Sequence, residues 1–143
     1  MSIKITLEGF DELIKQIENA GGTIDRAAES ALKQSAQIMD TELRAELNAA
    51  TESGLASRMP GPVTSNEYGK YKASVGFPYS SYSPKNPSDY HKAIFLNYGT
   101  PSRRKHGKEA ARGFIAKAKR KARPKIKKAQ KEVLEKIFAR LKR

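Results

Sequence analysis

A helical repeat of apolar residues from Ile24 to Ala50 constrains the fold of this chain more than any other feature. Apolar side chains recur there about every 3.6 residues, and Thr23, just before them, is a favoured N-cap residue. The pattern predicts one helix about 40 Å long, because each residue adds about 1.5 Å. Its inner face is rich in alanine, which lets a neighbouring element approach closely. The repeating positions are Ile24, Ala28, Ala31, Leu32, Ile38, Met39, Leu43 and Leu47.

Shorter patterns on both sides of this helix predict strands and a further helix. Alternating apolar and polar residues predict two strands, and a continuous apolar run predicts a third strand, which a turn at Tyr98-Gly99 follows. A short amphipathic helix is predicted before the long one. In chain order these segments are a strand at 3–7, a helix at 10–19, a strand at 72–77 and a strand at 92–97.

A basic helix is predicted from about residue 109 to residue 143. Apolar residues keep helical spacing on both sides of Pro124, which indicates one extended element. Proline removes a backbone hydrogen bond and disfavours helical geometry at the preceding residue, so we expect a kink near Pro124. Two segments rich in turn-forming residues, about 51–71 and 78–90, are expected to be flexible loops.

The charge of the chain is distributed unevenly. Residues 101–143 hold 18 Lys and Arg against 3 Asp and Glu, a net of +15, whereas residues 1–100 hold 10 against 12, a net of −2. The stretch 117–128 itself contains no acidic residue, so ion pairs within it cannot neutralise its charge. This density favours a polyanion or an acidic partner over a solvated face. The cations are Lys117, Lys119, Arg120, Lys121, Arg123, Lys125, Lys127 and Lys128.

The residue combinations of common catalytic sites are missing from the sequence. Without cysteine, the chain can form neither disulfides nor thiolate metal sites. His91 and His106 lack metal-ligand spacing and are expected to be exposed loop residues. No phosphate-binding glycine loop and no nucleophile elbow occurs. We therefore expect no enzyme activity, no cofactor and no metal site.

The length of 143 residues fits one domain spanning 1–143. No apolar run is long enough for a transmembrane helix, and the first residues lack the apolar region of a signal peptide. We expect the product to stay in the cytoplasm in which it is made, without membrane contact.

Three segments in order carry a resemblance to a known family. They are Val75-Gly76-Phe77, the run Asn97-Tyr98-Gly99-Thr100, and Phe114 after a basic stretch. With the first strand and the alanine-rich helix, they resemble the head–tail joining family of long-tailed bacteriophages, also called neck or tail-completion proteins. One departure is Asn97, where the family commonly has an acidic residue. The residues that match the family's structural motif are Phe95, Tyr98, Gly99, Thr100 and Phe114.

The resemblance implies an α+β subunit in which a small antiparallel sheet is flanked by helices. It implies a homo-oligomeric ring in the virion, of six copies by family analogy, around the DNA channel between connector and tail proteins. The basic helix would then line that channel or dock on an acidic face of the adjoining ring. Because the loops are rich in tyrosine and proline and the core is modest, we expect ring contacts at or near Tyr79, Tyr82 and Tyr90.

Two other functions remain open at the level of sequence. A free-standing basic protein could bind nucleic acid through its C-terminal helix, since that region carries the whole charge excess. A small nuclease-like toxin has less support, because no acid–base pair is visible.

Overall fold

The protein consists of two long helices packed together, with a small antiparallel sheet and two shorter helices around them. The computed structural model describes residues 2–6, 10–19, 24–51, 53–67, 70–80, 88–99 and 113–141. In chain order, the elements are β1 (Ser2–Ile5), α1 (Asp11–Asn19), α2 (Ile24–Ala50), α3 (Leu55–Arg58), β2 (Val63–Glu67), β3 (Lys70–Gly76), α4 (Asp89–Tyr98) and α5 (Phe114–Leu141).

Helix α2 confirms the prediction from the apolar repeat and forms the centre of the fold. Its apolar stripe contacts the sheet and α5, and Leu32, Met39 and Leu47 are almost completely buried. Helix α5 meets this stripe with Ala118 and Ala122, which are fully buried. Small side chains at this contact let the two helix axes approach closely, as the alanine content predicted. The proposed N-cap, Thr23, lies outside the described residues.

The sheet has the strand order β1-β3-β2, and both pairs are antiparallel. Ile3 lies opposite Val75 and Ile5 opposite Ala73, and all four side chains are buried against α2. This alternation confirms the predicted first and second strands. Helices together with a small three-stranded antiparallel sheet confirm the predicted α+β class.

The predicted loop at 51–71 is wrong, because this segment contains α3, β2 and the start of β3. Strand β2 escaped detection since it lies at the edge of the sheet and has one apolar side chain, Val63, which is 62% exposed. An arginine on α2 holds α3 in place. Arg44 Nη2 donates to the Met59 carbonyl at 2.8 Å, and Nη1 donates to that of Ala56.

The predicted third strand at 92–97 is also wrong, because this run belongs to helix α4. A continuous apolar run does not distinguish a buried strand from a buried helix. Here the residues at the ends of the run favour the helix. Ser88 caps the N-terminus by accepting from the His91 amide at 3.5 Å, and Asp89 lies in the first turn. Phe95 is therefore a helical residue.

Helix α5 runs without interruption through Pro124, which confirms one extended element rather than a broken one. It begins at Phe114, and the predicted start at residues 109–112 lies outside the described residues. Near its C-terminus, Leu134 packs with Ile17 of α1 and Ala27 of α2 in a second, smaller cluster. Within the described part of the chain, no helix has the length and apolar composition needed to cross a membrane.

Candidate interaction surfaces of the C-terminal helix

Two of the three segments that carry the family resemblance, those with Asn97 and with Phe114, lie where α4 ends and α5 begins. The Gly113 amide donates to the Asn97 carbonyl at 3.1 Å, and the Ile115 amide donates to Asn97 Oδ1 at 3.1 Å. Asn97 thus accepts from an amide in the first turn of α5, as an N-cap side chain does, although it lies 18 residues earlier. Position 97, identified in the sequence as a departure from the family, is the residue that caps the basic helix.

Phe114 is buried in the core, and Gly99 adopts a backbone conformation that favours glycine. The Phe114 side chain is 2% exposed in the main core, which also contains Ala93 of α4. Gly99 has φ 83° and ψ 175°, a region almost restricted to glycine, and it ends a helix rather than a strand. Tyr98 is 70% exposed, and Thr100 lies outside the described residues.

Two of the cations predicted to be unneutralised have acidic partners on α2. Lys121 Nζ forms an ion pair with Glu46, and Lys125 Nζ forms one with Glu42. The two glutamate side chains are 11% and 13% exposed, respectively. The prediction was wrong for these positions because it considered acids on the same helix, whereas the balancing acids lie on the helix packed beside it.

The contact with Glu46 raises the pKa of Lys121 above its ordinary value of 10.5, through the hydrogen bond first and the opposite charge second. A raised pKa means that the folded state favours the charged lysine. The contribution of this pair to stability is therefore fully present at neutral pH, and it is lost as the pH rises above 10.5 through the folded pKa.

A second set of cations, the groove cations, consists of Lys119, Arg123 and Lys127. They follow one another at four-residue intervals and lie within about 80° around the helix, at about 100° per residue. All three are exposed and line an open groove of about 290 Å³ between α5 and β1.

A third set, the outer cations, consists of Lys117, Arg120 and Lys128. They also lie within about 80° of one another, on the neighbouring face of the helix, and none of them lines the groove. All three are exposed, and no carboxylate of the described residues lies within ion-pair distance of them. This face is an accessible positive surface on a helix about 42 Å long.

The tyrosines proposed as ring contacts differ in exposure. Tyr79 is 79% exposed, and its ring meets the half-buried ring of Tyr90 edge-to-face, with the ring centroids 5.3 Å apart. Tyr82 lies outside the described residues. Among the described residues, Tyr79 and Tyr98 are thus the large aromatic side chains exposed enough to contact a partner.

The described residues contain no group of three or more His, Asp or Glu side chains placed to hold a metal ion. His91 is not the loop residue that was predicted: it lies on α4, half-buried, with Nδ1 3.0 Å from Ser88 Oγ. His106 lies outside the described residues.

Comparisons with known protein families, with curated proteins and with solved structures find no match to this chain.

Two features were not predicted from the sequence, the ion pairs between α2 and α5 and the cap formed by Asn97. The sequence contains a signal for the ion pairs. Glu42 and Glu46 are spaced by four residues on α2, as Lys121 and Lys125 are on α5. Matching spacing on two amphipathic helices predicts paired charges once the helices are assumed to pack side by side. The cap formed by Asn97 has no comparable signal, because it depends on how the chain returns after residue 99.

Proposed function

We propose that this chain is a structural subunit of the neck or tail-completion ring of a long-tailed bacteriophage, where it joins the DNA-filled head to the tail. The observation that best supports this is the junction of α4 and α5. Two of the three segments that carry the resemblance meet there, because Asn97 accepts hydrogen bonds from the amides of Gly113 and Ile115, on either side of Phe114. If both segments are needed to form this junction, related proteins should contain both of them.

The outer cations support a position beside the DNA channel. A helix with Lys117, Arg120 and Lys128 exposed on one face offers charge to a phosphate backbone without reading bases. Such contacts suit a channel through which any sequence must pass. The exposed rings of Tyr79 and Tyr98 are suited to contacts between neighbouring subunits of the ring.

Electron microscopy of a phage lysate that lacks this protein tests the proposal. We expect separate DNA-filled heads and finished tails, and joined particles again when the protein is supplied from a plasmid. Joined, normal particles in its absence would refute the proposed role. Mass spectrometry of purified virions gives an independent check, because a neck subunit must be present in them.

A free-standing nucleic-acid-binding protein is the second candidate, and the outer cations favour it too. The salt dependence of DNA affinity separates the two functions. A dedicated binder should hold duplex DNA at physiological salt, and its affinity should fall steeply as counterions are released. For a neck subunit we expect weak binding that is indifferent to sequence. Tight binding by the purified chain, together with its absence from virions, would favour the second candidate.

A further inference from the structure

The groove between β1 and α5 has features that the proposed role in the virion does not use. Residues 3–6 all line it, in an unbroken run. Successive side chains of a strand point to opposite faces, so a cavity lined by consecutive residues runs along the edge of the strand. Within the described part of the chain, β1 pairs with β3 alone, so this edge is not covered by another strand.

An uncovered edge offers hydrogen-bonding groups to a second chain. In an antiparallel pair, alternate residues direct their N–H and C=O groups away from the partner strand. In β1 these groups point toward the groove. Gln130, which is 3% exposed, donates from Nε2 to the Thr6 carbonyl at 3.3 Å and to Ser35 Oγ at 3.0 Å. This contact ties α5 to the end of β1 and fixes the groove between them.

The charge of the groove defines its occupant. Lys4 and the groove cations surround it, and none of the described lining residues is acidic. Its floor is apolar, formed in part by Met39 and Ile126. An apolar floor beneath a positive rim suits a peptide whose carboxylates alternate with apolar side chains.

The spacing of the groove cations matches an extended peptide. Positions four apart on a helix are separated by about 6 Å along its axis, and alternate side chains of a strand by about 6.6 Å. Lys119 to Lys127 covers about 12 Å, and the four residues of β1 cover about 13 Å. Carboxylates at every second position of an added strand can therefore each face one cation.

We infer that this groove binds an extended acidic segment of another protein, which pairs with the edge of β1 and places alternate carboxylates against Lys119, Arg123 and Lys127. A second copy of this chain does not supply such a segment, because its acids nowhere alternate with apolar residues over three acidic positions. The segments at 81–87 and 100–112 carry one acid between them, Glu109, and are no better suited. This inference does not depend on the proposed role in the virion.

Fluorescence anisotropy of the purified full-length chain tests the inference. The probe is a labelled peptide of about seven alternating valines and glutamates, long enough to cover β1. The groove triple variant is Lys119→Glu, Arg123→Glu and Lys127→Glu. The control triple is Lys117→Glu, Arg120→Glu and Lys128→Glu, which makes the same change in charge on the same helix. We expect the groove triple to weaken binding roughly tenfold or more and the control triple to retain it.

Two further peptides separate strand pairing from simple charge attraction. Replacing the valines by proline removes backbone N–H groups and should abolish binding, while replacing the glutamates by lysine should abolish it through charge. Equal losses of binding in both triple variants, or undiminished binding of the proline peptide, would overturn the inference.

Hydrogen exchange on the wild-type chain gives a measurement independent of whether the variants fold. The valine–glutamate peptide should slow exchange at amides of β1, and unchanged exchange there would also overturn the inference. The two triple variants are titrated with duplex DNA as well. DNA binding lost in the groove triple alone, with peptide binding unchanged, would assign the groove to nucleic acid instead.

Discussion

At the residue scale, a few side chains determine how the last third of the chain is attached to the rest. Asn97 caps α5, Phe114 anchors its first turn in the core, and Gln130 joins its middle to α2 and to the end of β1. These three contacts involve polar and apolar groups that are almost fully buried. Substitutions at these positions should therefore lower the free energy of unfolding far more than substitutions of the exposed cations between them.

Phe114→Ala should lower the free energy of unfolding by about 3–5 kcal/mol, because it empties a site whose side chain is 2% exposed. Urea denaturation measures the loss. Tyr98→Ala is the matched control, since it removes an aromatic ring that is 70% exposed and should cost less than about 0.5 kcal/mol. Equal effects of the two substitutions would show that Phe114 is not a core anchor.

Asn97→Ala should cost about 1–2 kcal/mol, because the Ile115 amide loses its acceptor. Asn97→Asp keeps an oxygen at that place and adds a negative charge at a helix N-terminus, where it is favoured. The aspartate variant should therefore remain closer in stability to the wild type than the alanine variant. Urea denaturation at neutral pH compares the three proteins, and an aspartate variant as unstable as the alanine variant would contradict the capping role.

At the element scale, the sequence predicted the parts of the fold that have a long, regular apolar period. Helices α1, α2 and α5 and the strands β1 and β3 follow from such periods. Helix α4 was mistaken for a strand because its apolar run is as short as a strand, and the deciding cap at Ser88 is a single residue. Strand β2 has almost no apolar pattern, since its pairing with β3 is made by backbone groups.

The surfaces of α5 were predicted only in part, because local sequence patterns do not show which elements pack against the helix. The sequence identifies all eight cations but not their division into paired, groove and outer sets. That division depends on which helix faces are covered by α2 and β1, and therefore on tertiary packing. Lys121 and Glu46 are 75 residues apart in sequence, and they meet because α2 and α5 pack together. No local sequence pattern predicts this contact.

Pro124→Ala should raise the free energy of unfolding by about 1–3 kcal/mol. Proline in a helix interior lacks the N–H that would bond to the preceding turn, and alanine restores it. Part of the gain is offset by the greater freedom of the unfolded chain. Lys128→Ala, on the same exposed side of α5, is the control and should change stability by less than about 0.5 kcal/mol. Urea denaturation measures both, and a loss of stability in Pro124→Ala would show that α5 needs a bend there to pack on α2.

At the scale of the whole molecule, the fold places its acidic part against its basic part. The net charge of +13 arises in residues 101–143, and α2 supplies Glu42 and Glu46 to that region from the otherwise slightly acidic remainder. Self-repulsion of the cations is thereby reduced where α5 lies on α2 and remains on the outer face. In the described part of α5, the groove and outer cations are exposed and thus accessible to partners.

Replacing both glutamates, Glu42→Gln with Glu46→Gln, should lower the melting temperature and make it rise more steeply with added salt. The double substitution removes two largely buried carboxylates that pair with lysines of α5. The cations of α5 then repel one another more strongly, and added salt screens this repulsion. Thermal melts between about 0.02 M and 0.5 M salt measure this. Glu12→Gln with Glu18→Gln makes the same change in net charge at exposed positions of α1. Identical salt responses of the two double variants would show that the pairs across α2 and α5 contribute nothing particular.

The closing of the core by α5 has a consequence for how the protein is made. The apolar stripe of α2 is complete at Ala50, but the α5 residues that cover part of it begin at Phe114. At about 5–20 residues per second, the ribosome adds the intervening 63 residues in roughly 3–13 s. During that interval the side of α2 that packs on α5 stays uncovered, although the sheet and α3 can already cover the rest of the stripe. Folding therefore completes only after α5 has been made, and a product terminated before Phe114 would leave the part of the stripe that α5 covers exposed to chaperones and proteases.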